Sequence, residues 1–274
     1  MKHILKFTLL GLFGSVLAAC SAGATDEGTT IRVATSPGPY SELFLEEVAP
    51  ILEEKGYAIE EIEFTDLRSA DVALQEGSAD LNVDQHSLYL ENFNEEASAD
   101  LTAVTAIPTV PAGLFPGTKN ALSKVAEGDK VGIPDDPSNY TRALLILQKA
   151  GWISLAEGAD TSNLTEADIA ENHVGIEIVP MQSATIPRTL ADLSYAIIPG
   201  SIAYDADVDF STILLEEDVL PQLFLQAVVS DPETADEAWV KDLVTIYQSD
   251  ELQETIEQIN EESNETYWVL PEAE

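Results

Sequence analysis

The sequence predicts an α/β fold built on mainly parallel sheets flanked by helices. Three observations carry this. Short apolar, β-branched runs alternate with stretches of helical spacing from Ile31 to Asn260, and such alternation packs helices on both faces of a sheet. The chain has 274 residues, 45% of them hydrophobic, enough core for one large or two smaller domains. The stretch Val131 to Gly151, VGIPDDPSNYTRALLILQKAG, reads as a strand, an abrupt stop and a capped helix.

Residues 1–19 read as a signal peptide. Lys2 and Lys6 give a basic start, Phe7 to Val16 an apolar centre, and small residues follow. The run is short for a membrane span. It ends Leu17-Ala18-Ala19-Cys20, which resembles the lipobox of bacterial lipoproteins and makes Cys20 the expected lipidation site. Residues 20–30 are small and polar, a tether.

Ile31 to Ala34 is a predicted strand, and Ser36-Pro37-Gly38-Pro39 a turn. Tyr40 to Lys55 places apolar residues at helical spacing, with Gly56 closing it. Predicted strands follow at Ile59–Phe64, Ala79–Val83 and Leu101–Ile107, and helices at Asp71–Glu76 and Ser87–Asn94. Thr109 to Phe115, broken by Pro and Gly, reads as a crossing. Later strands fall at Ile176–Pro180, Tyr195–Ile198 and Leu223–Val229. Ala235–Gln248 and Glu251–Asn260 read as acidic amphipathic helices.

In the organising stretch, Asp136 suits an N-cap, Pro137 the first helical position and Gly151 the residue past the end. Asn139 and Arg142, three apart, share the first turns. The helix dipole, free backbone N–H groups and an Arg fork make an anion site there. An Arg paired with an internal Asp or Glu is an equal alternative in so acidic a chain. Ligands in such sheets bind beyond the strands' C-terminal ends, and Gln85-His86, Asn139-Arg142 and Pro199-Gly200 all fall there.

Net charge is −38, and beyond Cys20 ten basic residues face 50 acidic ones. That balance repels nucleic acid and anionic lipid. One cysteine excludes an internal disulfide framework. No G-x-S-x-G elbow occurs, and no enzyme is expected.

Several stretches resemble the NlpA/MetQ family of methionine-binding lipoproteins, the solute receptors of ABC importers. They are ATSPGPYSELF at Ala34 to Phe44, EFTD at Glu63 to Asp66, and QH followed by YLENF at Gln85 to Phe93. Others are Gly132 to Leu155, IPRTLAD at Ile186 to Asp192 and AIIPGSIA at Ala196 to Ala203. The resemblance implies a two-lobed periplasmic-binding fold of type II. Lobe 1 would hold residues 31–111 plus 202–274 and lobe 2 residues 112–201, with a return crossing near Gly200 to Tyr204.

By the same resemblance, Arg142 would hold an amino-acid carboxylate, Asn139 would bond the same end, and His86 and Tyr89 would line the pocket. Four positions depart from the family. Leu67 stands for a Tyr, Asp84 for an aromatic, Asp71 for an Asn, and Pro199-Gly200 replaces another Asn. The lost rings point away from methionine and toward a ligand with a polar or cationic far end, with Arg68 available to pair with Asp84. The implied partners are an amino acid or short peptide, an importer permease with its ATPase, and a membrane reached through a lipid anchor. The expected protein is a monomer without cofactor on the extracytoplasmic face of the bacterial cell membrane. A metal-ion receptor, invited by Asp84-Gln85-His86, and a receptor that has lost its ligand are the other readings.

Overall fold

The computed structural model describes residues 29–263 and 268–271. The signal segment, Cys20 and most of the tether lie outside them. Two five-stranded sheets carry the fold. The first contains β1 (Thr30–Thr35), β2 (Ala58–Glu63), β3 (Leu81–His86) and β4 (Thr102–Ile107). The second contains β5 (Gly113–Pro116) and β6 (Lys130–Pro134). A small hairpin follows, β7 (Ile153–Leu155) with β8 (Ile169–Asn172). The second sheet resumes with β9 (Glu177–Met181), β10 (Tyr195–Ile198) and β11 (Leu215–Glu216). Last, β12 (Leu225–Val229) returns to the first sheet.

The strand orders are β2-β1-β3-β12-β4 and β11-β5-β10-β6-β9. Each sheet has one strand opposed to its neighbours. In the first it is β12, antiparallel to β3 and β4; in the second it is β5, antiparallel to β10 and β11. These two are the strands the chain enters after crossing between lobes. The others run together, as the sequence predicts.

The return comes later than the residue 201 boundary expected from sequence. Leu215 and Glu216 still pair with Leu114 and Gly113 of the second sheet. Ile202, Ala203 and Ile213 pack with Phe115, Ile186 and Leu193 of the same lobe. The crossing is therefore the segment between β11 and β12, around Glu217.

Separate apolar clusters hold the lobes. Ile31, Val33, Phe44, Leu52, Leu81 and Val83 are fully buried in the first. Val131, Ile133, Leu144, Leu147 and Tyr195 are fully buried in the second. Such burial stabilises by about 1.5–3 kcal/mol per large side chain.

Most helices follow their sequence signals. Pro137–Lys149 starts at Asp136, whose Oδ1 accepts from the Asn139 N–H at 3.0 Å, and Gly151 follows it at φ 72°. The predicted helix after Pro39 is interrupted by a π turn over Phe44–Val48. Pro50, without an N–H, leaves a carbonyl one turn back unserved by the regular ladder, and a wider turn accommodates this. The helix expected at Asp71–Glu76 begins earlier, spanning Leu67–Gln75, because Asp66 caps it by accepting from the Ser69 N–H at 2.9 Å.

Candidate functional site

A cavity of 360 Å³ lies between the lobes, in the size range of small-molecule sites. The C-terminal ends of four strands feed it. β1 leads to Ser36, β3 ends in His86, β6 leads to Asp135 and Asp136, and β10 leads to Pro199 and Gly200.

Arg142 lines the cavity from the second lobe and is 4% exposed. Its guanidinium is already paired. Nε donates to Glu217 Oε2 at 3.0 Å, Nη2 bonds Glu217 Oε1, and Nη1 donates to Asn139 Oδ1 at 2.9 Å. Burial works against the charge, but the Glu217 carboxylate outweighs it and raises Arg142 above its ordinary value. Arg142 thus pairs with an internal acid, the alternative the sequence left open, while also lining the cavity. Glu217 lies 75 residues along the chain, and no local signal distinguishes it from its acidic neighbours.

Asn139 is committed at both ends. Its Nδ2 donates to Asp136 Oδ1 at 3.1 Å, and its Oδ1 serves Arg142. His86 caps the helix Ser87–Ala97, its Nδ1 accepting from the Tyr89 N–H at 3.2 Å. Burial, then the nearby Arg142 charge, press the imidazole pKa well below its ordinary value, so the ring is neutral. With Nδ1 accepting, the proton sits on Nε2. That atom is buried and makes no hydrogen bond of good geometry, although the Asn139 side chain is near enough to favour its proton, and it belongs to a residue lining the cavity. Tyr89, Leu67 and Gly200 line the same cavity.

Asp84 also lines the cavity, but its oxygens face inward. Oδ2 accepts from the Ser36 N–H and Oγ–H at 2.9 Å each, and Oδ1 accepts from Ser41 Oγ at 2.8 Å. Asn82 Nδ2 adds a longer bond at 3.3 Å. Burial pushes the carboxyl up to about 6, and the serine bonds hold it from rising further. Arg68, one of the partners the sequence offers Asp84, does not turn inward to it. Arg68 lies over the Phe93 ring and bonds Glu96 at 3.0 Å on the exposed surface, where its charge stays hydrated. Asp71 does not line the cavity. It is fully buried behind it, bonded to Gln85. Ser36 and Ser41 escaped the sequence reading, because serines in a turn and helix start look like ordinary caps.

The metal reading loses its donors in this arrangement. Asp84 is committed to two serines and His86 Nδ1 to a backbone N–H, so the pair offers no matched ligand set.

With this geometry, comparison with known proteins is decisive. The profile of the NlpA lipoprotein family matches residues 31–268. The chain belongs to the NlpA lipoprotein family. Among curated relatives, "D-methionine-binding lipoprotein MetQ" of Salmonella typhi is 30% identical over 255 residues, covering 90% of this chain and 92% of the relative. A nutrient binding protein from Burkholderia cenocepacia, solved bound to methionine, superposes with a TM-score of 0.77 at 31% identity. That match covers 85% of this chain and 98% of the other. An ABC transporter periplasmic substrate-binding protein from Coxiella burnetii gives 0.76 at 30% identity, covering 84% and 96%. This NlpA-family chain therefore has the two-lobed fold of solute-binding proteins, and the cavity described lies between its lobes. Among the described residues no helix is long and apolar enough to cross a membrane.

Proposed function

We propose that this chain is the solute receptor of an ABC importer, a binding protein rather than an enzyme. It takes an amino acid or short peptide by its carboxylate between the lobes. The observation that carries the reading is the convergence on one cavity of Arg142, Asn139 and the poorly satisfied N–H of His86. Arg142 presents donors to the ligand carboxylate, and His86 Nε2 supplies a neutral donor beside it. A buried donor without a good partner is costly, about 1–3 kcal/mol, and a ligand acceptor removes that cost. Tyr89 and Leu67 provide apolar wall, and Gly200 keeps the opposite wall low. The partners are a permease and its ATPase.

The chain is anchored through Cys20 at the extracytoplasmic face of the cell membrane. Stable anchoring needs two lipid signals, and acylated Cys20 carries them. Cys20→Ser releases the protein from membranes or stalls its processing; normal processing with continued attachment would overturn the anchor.

Calorimetric titration of methionine, a methionine dipeptide, and polar and basic amino acids tests the receptor reading. One or more bind the wild type, and His86→Phe weakens that ligand about tenfold or more. Binding of none of them would refute the reading.

A further inference from the structure

Glu217 lies on the return segment between β11 and β12. Its side chain is 3% exposed and that of Arg142 is 5% exposed. Besides gripping Arg142 through both oxygens, it accepts from the Ala112 N–H at 2.6 Å. Three segments therefore meet on one carboxylate: the first crossing, the return crossing and the helix Pro137–Lys149.

A ligand carboxylate arriving at Arg142 meets this arrangement. Displacing Glu217 would strand a buried charge and the Ala112 N–H, which is unfavourable. The pair must persist in the complex. A guanidinium has five N–H groups. Two go to Glu217 and one to Asn139, which leaves one on Nη1 and one on Nη2. One N–H on each terminal nitrogen is therefore left to donate to a second carboxylate.

The charge is a different matter. Arg142 and Glu217 together are neutral. The cavity wall otherwise carries Asp66, Asp84, Asp135, Asp136 and Asp205, and its other cation, Arg68, is held by Glu96. A bare carboxylate would enter this field uncompensated, whereas a zwitterion brings its own ammonium to it.

We propose that Glu217 is a positioning and selectivity residue: it fixes Arg142 with its remaining N–H groups free for the ligand and cancels its charge, so the cleft accepts amino acids as zwitterions and turns away carboxylates lacking an ammonium. This rests on the receptor reading above.

The test is calorimetry on full-length protein purified in detergent. Methionine and glutamine are each titrated beside the acid lacking only the amine, 4-(methylsulfanyl)butanoate and glutaramate. Wild type prefers the amino acid by about 100-fold or more, and Glu217→Gln reduces that preference by about tenfold or more as the des-amino acid gains affinity. Glu217→Asp keeps the charge but shortens the reach. It preserves the preference while weakening both ligands, and it decides the matter if the Gln variant does not fold. Wild type that binds neither amino acid overturns the receptor reading and this inference together. Amino-acid binding with an unchanged preference in Glu217→Gln, or a lost preference in Glu217→Asp, overturns this inference alone.

Discussion

Asp71 and Gln85 meet inside the first lobe, where Gln85 Nε2 donates to Asp71 Oδ1 at 2.5 Å and each residue keeps one buried oxygen without a partner. Both orphans, Asp71 Oδ2 and Gln85 Oε1, are acceptors. A proton on Asp71 would turn one of these acceptors into a donor. Burial pushes the carboxyl up to about 8, against the pull of the Gln85 bond and with the Asp84 charge adding to the rise.

The consequence for stability has a definite sign. Between an unfolded value of about 3.9 and the folded value, the native state holds a proton that the unfolded chain has released. The contribution is fully present below the unfolded value and is lost as pH rises to about 8. Asp84, raised to about 6, acts the same way lower down. His86, depressed, acts oppositely below its ordinary value of about 6.5. From about 6.5 to 8 Asp71 is thus the one of the three that changes stability. Wild type should lose melting temperature between pH 6.5 and 8.5, and Asp71→Asn, which carries its own donor, should abolish that fall. Equal falls in both proteins would refute the proton assignment.

Much of this arrangement is legible in the sequence and some is not. Strand–helix alternation and the Asp136-Pro137 cap belong to local chemistry, so the fold class and the helix bearing Arg142 can be read directly. The two reversed strands cannot, because their direction is set by crossings between lobes rather than by residue pattern. The partners of Arg142 and Asp84 are equally hidden. Glu217 and Ser41 reach them from 75 and 43 residues away, and a residue type says nothing about such a meeting. Asp71 reads as a cleft residue by resemblance, yet its place on the helix Leu67–Gln75 turns it into the core behind Gln85.

Arg142→Ala does more than remove a ligand contact. It leaves Glu217 buried and unpaired, a change that costs about 3–5 kcal/mol in comparable pairs. In urea unfolding, Arg142→Ala should lose stability on that scale. Arg142→Met with Glu217→Gln, which keeps an acceptor for the Ala112 N–H, should recover most of it without restoring ligand affinity. A double variant no more stable than Arg142→Ala would show that the pair is not the source of the loss.

Asp84→Phe offers a way to restore a ring to the cavity wall, and the structure predicts why it fails. The carboxylate serves the Ser36 N–H, Ser36 Oγ–H and Ser41 Oγ–H. Losing it strands donors at about 1–3 kcal/mol each where they cannot turn to water. Thermal unfolding should therefore show a marked loss for Asp84→Phe and a smaller one for Asp84→Asn, which keeps one accepting oxygen. Stability equal to wild type in the Phe variant would mean that the serines re-pair locally.

Gly200 marks where the second lobe's wall touches the first crossing. A Cβ there would lie 2.4 Å from Val110 O and 2.7 Å from Pro111 O, both backbone atoms that cannot swing aside. Its φ is not in the left-handed region, so the requirement is for space rather than for conformational freedom. The crossing continues into Ala112, whose N–H is held by Glu217, which in turn holds Arg142. A methyl at Gly200 therefore pushes on the same segment that positions the guanidinium. Gly200→Ala should cost about 1–3 kcal/mol, as overpacking generally does, and should weaken ligand binding as well. Ser201→Ala, one residue on and also at the cavity wall, adds no atom toward the crossing and should change stability little. Denaturant unfolding of the two variants, with calorimetry of a ligand that binds wild type, separates the cases. A Gly200→Ala protein as stable and as tightly binding as Ser201→Ala would show that the crossing yields freely, and that the contact between Gly200 and Val110 does not help set the grip of Arg142.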